Sequence, residues 1–127
     1  MESKNITILI ADDEPDVLEF VQYNLQKEGF IVLTAPNGQK AIDMAKKYLP
    51  QLIILDIMMP EGDGMELLTR MLDHRMAIPV IINSAYSHYK NDFMSWAAEA
   101  YVVKSSDLSE LKMEIHRVLD KSQMAMV

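Results

Sequence analysis

Short apolar runs alternate with amphipathic segments along the 127-residue chain. Five of these runs are rich in Ile, Leu and Val, which is typical of strands that are buried on both faces of a sheet. They cover residues 6–11, 30–35, 52–55, 79–82 and 101–103. Because such strands occur in parallel sheets that are covered by helices, this pattern predicts an α/β fold.

The segments between the runs carry apolar residues at three- and four-residue spacing, which predicts amphipathic helices. Pro15 suits the first turn of the first helix, and Gly29 suits its end. Asn37 can cap the second helix. The last helix is predicted to begin near Ser106 or Asp107, the latter in a capping-box variant with Glu110. The third, fourth and fifth helices are predicted from Leu67, Leu68, Met71 and Leu72, from Phe93, Trp96 and Ala97, and from Leu108, Leu111, Ile115, Val118 and Leu119.

The order of these elements gives five β/α units in a single domain, residues 1–127. Right-handed crossovers between parallel strands favour a doubly wound five-stranded sheet with helices on both faces. Residues 121–127 are expected to form a flexible tail or the start of a linker.

Composition narrows the possible functions. The net charge of −7 disfavours direct binding to nucleic acid or to an anionic membrane surface. The absence of cysteine excludes disulfides, cysteine-based zinc sites and thiol catalysis. No apolar run has the length of a membrane span or of a secretion signal, so we expect a cytoplasmic domain.

Polar residues follow four of the predicted strands. They are Asp12 and Asp13 after the first strand, Asp56 after the third, Ser84 after the fourth and Lys104 after the fifth. In open α/β sheets, ligands bind beyond the carboxyl ends of the strands, where the strand order reverses. With the order 2-1-3-4-5, one of the common orders for such sheets, the first and third strands are neighbours and the three aspartates converge on one crevice.

Three carboxylates in one crevice favour a bound cation. At a separation of about 5 Å they repel one another by roughly 3 kcal/mol per pair at an effective dielectric of about 20. Oxygen ligands without His or Cys suit Mg²⁺, which also binds phosphoryl oxygens. A carboxylate beside that ion can attack phosphorus, while Lys104 neutralises charge on the transferred group and Ser84 donates a hydrogen bond to it.

Each of these residues has a simpler explanation when it is considered alone. Asp12 and Asp13 can cap the first helix and interact favourably with its dipole. Ser84 can belong to a turn, and Lys104 can be a solvated surface charge. Their joint placement at the ends of strands is what favours a functional site.

Four motifs together span nearly the whole chain. They are Ile-Leu-Ile-Ala-Asp-Asp-Glu-Pro at 8–15, Leu-Asp-Ile-Met-Met-Pro-Glu-Gly-Asp-Gly at 55–64, Ser-Ala-Tyr at 84–86 and Tyr-Val-Val-Lys at 101–104. This set resembles the response-regulator receiver domains of bacterial two-component signalling, of the chemotaxis-regulator type. The resemblance implies a flavodoxin-like fold and a signalling switch that is controlled by phosphorylation.

The resemblance also implies a role for individual acids. Asp56 would be the phosphoacceptor. Asp13 and Asp56 would bind Mg²⁺ directly, Asp12 would bind it through water, and the backbone carbonyl of Met58 would complete the protein ligands. Mn²⁺ would be able to replace Mg²⁺.

The implied partners and the implied switch follow from the same resemblance. The donor would be a phosphohistidine on a sensor histidine kinase or a histidine phosphotransfer protein. Ser84 and Tyr101 match the pair whose rearrangement reports phosphorylation to the face made by the fourth helix, fifth strand and fifth helix. With Lys104 and Ser84 in the catalytic set, the domain would promote its own phosphorylation and dephosphorylation without being a turnover enzyme.

The chain departs from the family pattern at two places. Ser105 stands where the family usually has proline, so a cis peptide bond after Lys104 is less assured. The interval of twenty positions from Ser84 to Lys104 is shorter than the family commonly shows, so we expect a trimmed fourth helix or trimmed turns beside it. Met58 and Tyr86 are bulky residues at positions that influence how water reaches the phosphoryl group.

Three other functions are compatible with parts of the sequence. A dehalogenase-like phosphatase also uses a nucleophilic aspartate with Mg²⁺, but it places that residue in a D-x-D pair after the first strand. A flavodoxin-like cofactor binder needs phosphate-binding N–H groups after that strand, where Asp12, Asp13 and Glu14 would repel a phosphate. The third alternative is an interaction domain that is not phosphorylated, although every expected acid and the lysine are present.

Overall fold

The structure, a computed structural model, describes residues 5–56, 69–70, 77–85 and 98–125. The elements within these residues follow one another in the predicted order. They are β1 (Thr7–Ala11), α1 (Pro15–Lys27), β2 (Ile31–Ala35), α2 (Gly38–Tyr48), β3 (Leu52–Leu55), β4 (Val80–Ser84), β5 (Ala100–Val103) and α3 (Ser109–Ala125), the last being the predicted fifth helix. The predicted third and fourth helices lie outside the described residues.

The five strands form one parallel sheet in the order β2-β1-β3-β4-β5. β1 lies between β2 and β3 and pairs with both of them. Leu9, for example, is opposite Leu33 on one side and Ile53 on the other. The predicted strand order is therefore confirmed.

Both faces of the sheet are buried, and the side chains of β1 alternate between them. Leu9 and Ala11 belong to the apolar cluster that includes residues of α2. Ile8 and Ile10 belong to the opposite cluster, which includes residues of α1 and α3. The predicted doubly wound arrangement, with helices on both faces, is confirmed by these two clusters.

Residues predicted to start or end the first two helices do so at three of the four helix ends. Pro15 is the first helical residue of α1, and Gly29 follows that helix with a φ of 97°, a left-handed value that glycine adopts without a steric cost. Asn37 accepts a hydrogen bond from the Lys40 N–H at 2.9 Å and so caps α2. At the other end of α2, Leu49 adopts the left-handed conformation with a φ of 48°.

The last helix begins two residues after Asp107, without the predicted capping box. α3 begins at Ser109, and the Asp107 side chain accepts hydrogen bonds from the Ser109 N–H at 2.9 Å and from its hydroxyl at 2.6 Å. The Asp107 N–H donates to the Ser105 hydroxyl at 3.0 Å instead of taking part in a capping box with Glu110. Short polar side chains of this kind compete with helical hydrogen bonds. Here they form a turn, and the helix begins after it.

α3 continues to Ala125, inside the segment predicted as a tail. The first part of that segment is therefore helical. Its flexibility and its role as a linker remain predictions.

The stability of the sheet depends on strand side chains that are buried on both faces. Ile53 on β3 is fully buried, whereas Ile31 on the edge strand β2 is 49% exposed. We expect Ile53→Ala to lower the free energy of unfolding by about 2–5 kcal/mol, because it leaves a cavity between packed layers. Ile31→Ala makes the same chemical change at an exposed position and should cost less than about 1 kcal/mol. Urea unfolding of both variants tests this, and equal losses would contradict the described core.

Candidate functional site

Two backbone hydrogen bonds carry the sheet pattern one residue beyond the strands and so fix two acids at its edge. Asp56 follows β3, and its N–H donates to the carbonyl of Ala11, the last residue of β1, at 2.9 Å. Asp12 follows β1, and its N–H donates to the carbonyl of Ala35 at 3.1 Å. These two aspartates therefore emerge side by side at the carboxyl end of the neighbouring strands.

The acids at this edge form one cluster. Asp12, Asp13, Glu14 and Asp56 each contribute a carboxylate oxygen to a group whose members all lie within 4.8 Å of one another. The side chains of Asp12 and Asp56 are only 3% and 6% exposed, while Asp13 and Glu14 are exposed residues. The convergence predicted for the three aspartates is thus observed, with a fourth acid added.

The ammonium group of Lys104 bridges this cluster from the end of β5. Its Nζ atom lies 2.8 Å from Asp12 Oδ2, 2.9 Å from Glu14 Oε1 and 3.0 Å from Asp56 Oδ2. The Lys104 N–H donates to the carbonyl of Ser84 at 2.8 Å, which anchors the lysine backbone beside β4. The simpler explanation of Lys104 as a solvated surface charge does not hold, since its side chain is only 14% exposed.

Burial raises the pKa of Asp12 even though Lys104 and the Glu14 N–H both stabilise its carboxylate. Burial acts in the opposite direction on Lys104, but its hydrogen bonds to Asp12, Glu14 and Asp56 outweigh burial and raise the pKa of the ammonium. Lys104 is therefore a cation throughout the physiological pH range. One lysine does not neutralise four acids, so the cluster favours additional positive charge.

The donor set of this cluster fits a hard divalent cation. It offers carboxylate oxygens close together and, among the described residues, no His or Cys ligand. Mg²⁺ prefers oxygen ligands of this kind and retains several waters, which suits a cluster with two buried and two exposed acids. Met58, whose carbonyl was predicted as a further ligand, lies outside the described residues, as does Tyr86.

Asp13 is not the cap of the first helix. The N-cap position of α1 belongs to Glu14, and Asp12 rather than Asp13 accepts the hydrogen bond from the Glu14 N–H, at 2.9 Å. The capping explanation therefore fails for Asp13, which lies exposed in the acidic cluster.

The predicted switch residues lie on the two strands beyond β3. Ser84 is the last residue of β4 and is fully buried. Leu55 pairs with Ile82, so continuing that register puts Asp56 beside Asn83 and Ser84 one residue further along. Tyr101 on β5 is 4% exposed and packs in the apolar cluster on the α2 side of the sheet.

One site residue, Glu14, was not predicted from the sequence. The sequence indicates only a charge there that would repel phosphate, whereas in the structure its carboxylate contacts Lys104. The run of three consecutive acids after β1 could have indicated this residue, because it places a third carboxylate within reach of the crevice. No cis peptide bond occurs among the described residues, the Lys104–Ser105 bond included.

Comparison with known proteins identifies the family. A family model described as the response regulator receiver domain matches residues 8–116, which is most of the chain. The chain belongs to this family. The predicted family and the predicted class of function, a receiver domain of two-component signalling, are confirmed, and the assignment favours a signalling domain over a phosphatase or a flavodoxin-like cofactor binder.

Individual relatives agree with this assignment. The response regulator protein TrrA from Thermotoga maritima, solved in complex with Mg²⁺ and BeF, is 39% identical; the match covers 89% of this chain and 98% of that one, with a TM-score of 0.83. The alkaline phosphatase synthesis transcriptional regulatory protein PhoP of Bacillus subtilis is 29% identical over 95% of this chain and 51% of its own length. The response regulator ArlR of Staphylococcus aureus is 34% identical over 88% of this chain and 52% of its own length.

The chain thus spans about half the length of these two curated relatives. Within the described residues, no helix is long and apolar enough to cross a membrane.

The raised pKa of Asp12 predicts how stability depends on pH. The folded state favours the protonated carboxyl, so the stability of the metal-free protein falls as pH rises from 3.8, the ordinary value for aspartate, through the folded pKa. Asp12→Asn should therefore stabilise the metal-free protein at pH 7, because the amide has no charged form whose burial opposes folding. The gain should shrink as pH falls back towards that ordinary value.

Urea unfolding at several pH values in the presence of a chelator measures this effect. Asp120→Asn removes one charge from an exposed position on α3 and serves as the matched control, with little expected change. A destabilised Asp12→Asn at pH 7 would show that the contact with Lys104 outweighs burial and that the pKa of Asp12 is lowered instead.

Proposed function

We propose that the protein is a phosphorylation-dependent switch in which the Asp56 carboxylate accepts a phosphoryl group in the presence of Mg²⁺. One observation carries the proposal. A carboxylate that is 6% exposed lies 3.0 Å from a lysine ammonium and within 4.8 Å of oxygens from three further acids. The receiver-domain family and the related TrrA structure with Mg²⁺ and BeF support it.

In the proposed reaction, an Asp56 carboxylate oxygen attacks the phosphorus of a phosphohistidine. The new P–O bond forms as the P–N bond breaks, and the imidazole leaves with the bonding pair and takes a proton. In this proposal Lys104 neutralises charge on the transferred group, and the Ser84 hydroxyl donates a hydrogen bond to it. The same residues support transfer from small phosphodonors and the later hydrolysis, so the domain promotes both without acting as a turnover enzyme.

Asp13 and Asp56 are the proposed direct ligands of Mg²⁺, with Asp12 acting through water and Met58 through its backbone carbonyl. The ion supplies positive charge that offsets the phosphoryl oxygens and the acids around them. Mn²⁺, which accepts the same oxygen ligands, is expected to replace Mg²⁺. The close carboxylate oxygens of Asp12, Asp13 and Asp56 support this ligand set.

Ser84 and Tyr101 are the proposed switch residues. The buried Ser84 hydroxyl is carried on the strand next to β3, so a phosphoryl group on Asp56 provides a new acceptor near it. Tyr101 is on β5, the strand beside β4, where its buried ring can respond to a change at Ser84. The surface expected to change on phosphorylation includes β5 and α3.

The proposed donor is a sensor histidine kinase or a histidine phosphotransfer protein in the cytoplasm. Residues 1–127 are proposed as one receiver domain, supported by the family match over 8–116 and by the length of α3. The net charge of −7 supports an output through protein contacts rather than through direct nucleic-acid or membrane binding.

Phosphorylation is expected to require Asp56. Incubation with acetyl phosphate and Mg²⁺ should add one phosphoryl group that is stable to acid and labile to base. Asp56→Asn should abolish the modification, because an amide is not a nucleophile towards phosphorus, while Asp120→Asn should retain it. Intact-protein mass spectrometry distinguishes these results, and undiminished phosphorylation of Asp56→Asn at another residue would refute the assignment.

Metal binding is expected to depend on Asp13. Millimolar Mg²⁺ should raise the urea midpoint of the wild type, because the ion binds the folded state preferentially. Asp13→Ala should lose most of that response and should gain about 1–3 kcal/mol of stability without metal, since one repulsive carboxylate is removed. A destabilised Asp13→Ala beside a wild type that is indifferent to Mg²⁺ would reject the shared metal site.

A further inference from the structure

Lys104 contacts three carboxylates whose surroundings differ. The side chains of Asp12 and Asp56 are 3% and 6% exposed, whereas the side chain of Glu14 is 59% exposed. The ammonium group therefore sits between two buried partners at the edge of the sheet and one partner on the solvent side.

Glu14 is the N-cap residue of α1, yet its side chain makes no capping hydrogen bond. Its N–H donates to Asp12 Oδ1 at 2.9 Å, and its carboxylate reaches Lys104, 90 residues further along the chain. The side chain is thus available for Lys104 because helix capping does not use it.

Lys104 and a divalent cation would compete for the same carboxylates. The ammonium group lies against Oδ2 of Asp12 and Oδ2 of Asp56, and both residues belong to the acidic cluster that fits Mg²⁺. Like charges repel strongly at this range in a partly buried site. A bound ion would therefore weaken the contacts of Lys104 with its two buried partners and leave Glu14 as the remaining one of the three.

We propose that Glu14 is a positioning residue for Lys104: it holds the ammonium group at the edge of the site when Mg²⁺ occupies the acids. This inference rests on the proposed magnesium site and goes beyond it, because it assigns a role to an acid outside the proposed ligand set. Without Glu14, the displaced ammonium loses the most exposed of the three carboxylates that it contacts among the described residues. Mg²⁺ binding should then be weaker, and Lys104 should be less well placed for phosphoryl transfer.

A double-mutant cycle with Mg²⁺ affinity as the readout tests this role. The four proteins are wild type, Glu14→Gln, Lys104→Met and the double variant, each titrated with Mg²⁺ by calorimetry after its fold has been checked by urea unfolding. Lys104→Met should bind Mg²⁺ more tightly than wild type, because the competing cation is gone. Asp16→Asn removes one negative charge from an exposed position in the first turn of α1 and measures the effect of charge alone.

We expect Glu14→Gln to weaken Mg²⁺ binding about three- to fivefold in the wild-type background, the scale of one partly exposed ion pair. In the Lys104→Met background the same change should have no more effect than Asp16→Asn. Such a difference between backgrounds is what a role through Lys104 requires. Reduced phosphorylation of Glu14→Gln by acetyl phosphate at saturating Mg²⁺ is the second expected result.

Two outcomes would overturn the inference while leaving the proposed function intact. An equal loss of affinity in both backgrounds would mean that Glu14 acts on the ion itself, as a ligand or through its charge. No loss in either background would mean that the contact with Lys104 has no functional consequence. A wild type that binds no Mg²⁺ would instead overturn the proposed magnesium site, and this inference with it.

Discussion

The structure depends on one electrostatic constraint, which is that a parallel sheet brings several carboxylates together where its central strands end. Four acids contribute oxygens within 4.8 Å of one another, and Lys104 lies among them as their cation. The strand order therefore determines which charged residues lie together. Because β1 and β3 are neighbours, Asp12 and Asp56 cannot be separated without breaking the sheet.

The backbone offers the acids little freedom to relax their repulsion. β1 is buried on both faces, and the bonds from Asp12 to Ala35 and from Asp56 to Ala11 hold both acids in register with their neighbours. Moving either acid away would cost apolar burial and backbone hydrogen bonds together. Cations therefore provide the compensation, and a site that requires a cation also responds to any change in the charge placed there.

The sequence was sufficient to predict the layout but not the local contacts. Apolar runs predicted the strands, and the polar residues at their ends predicted which side chains would meet, because strand ends in a parallel sheet share an edge. Such patterns do not determine which hydrogen-bond partner a polar side chain takes. The reach of Glu14 to Lys104 and the turn that Asp107 makes with Ser109 each reflect a choice among hydrogen-bond partners that is made only once the chain has folded.

The buried and exposed acids of the site are held in different ways. Asp12 and Asp56 are held by the sheet, so their positions stay fixed while their charge requires a partner. Glu14 is exposed at the start of α1, where a side chain can follow a moving cation at little cost in burial. Lys104 is shared between the two groups. In the proposed switch, the position of Lys104 would respond to the charge held by the buried pair.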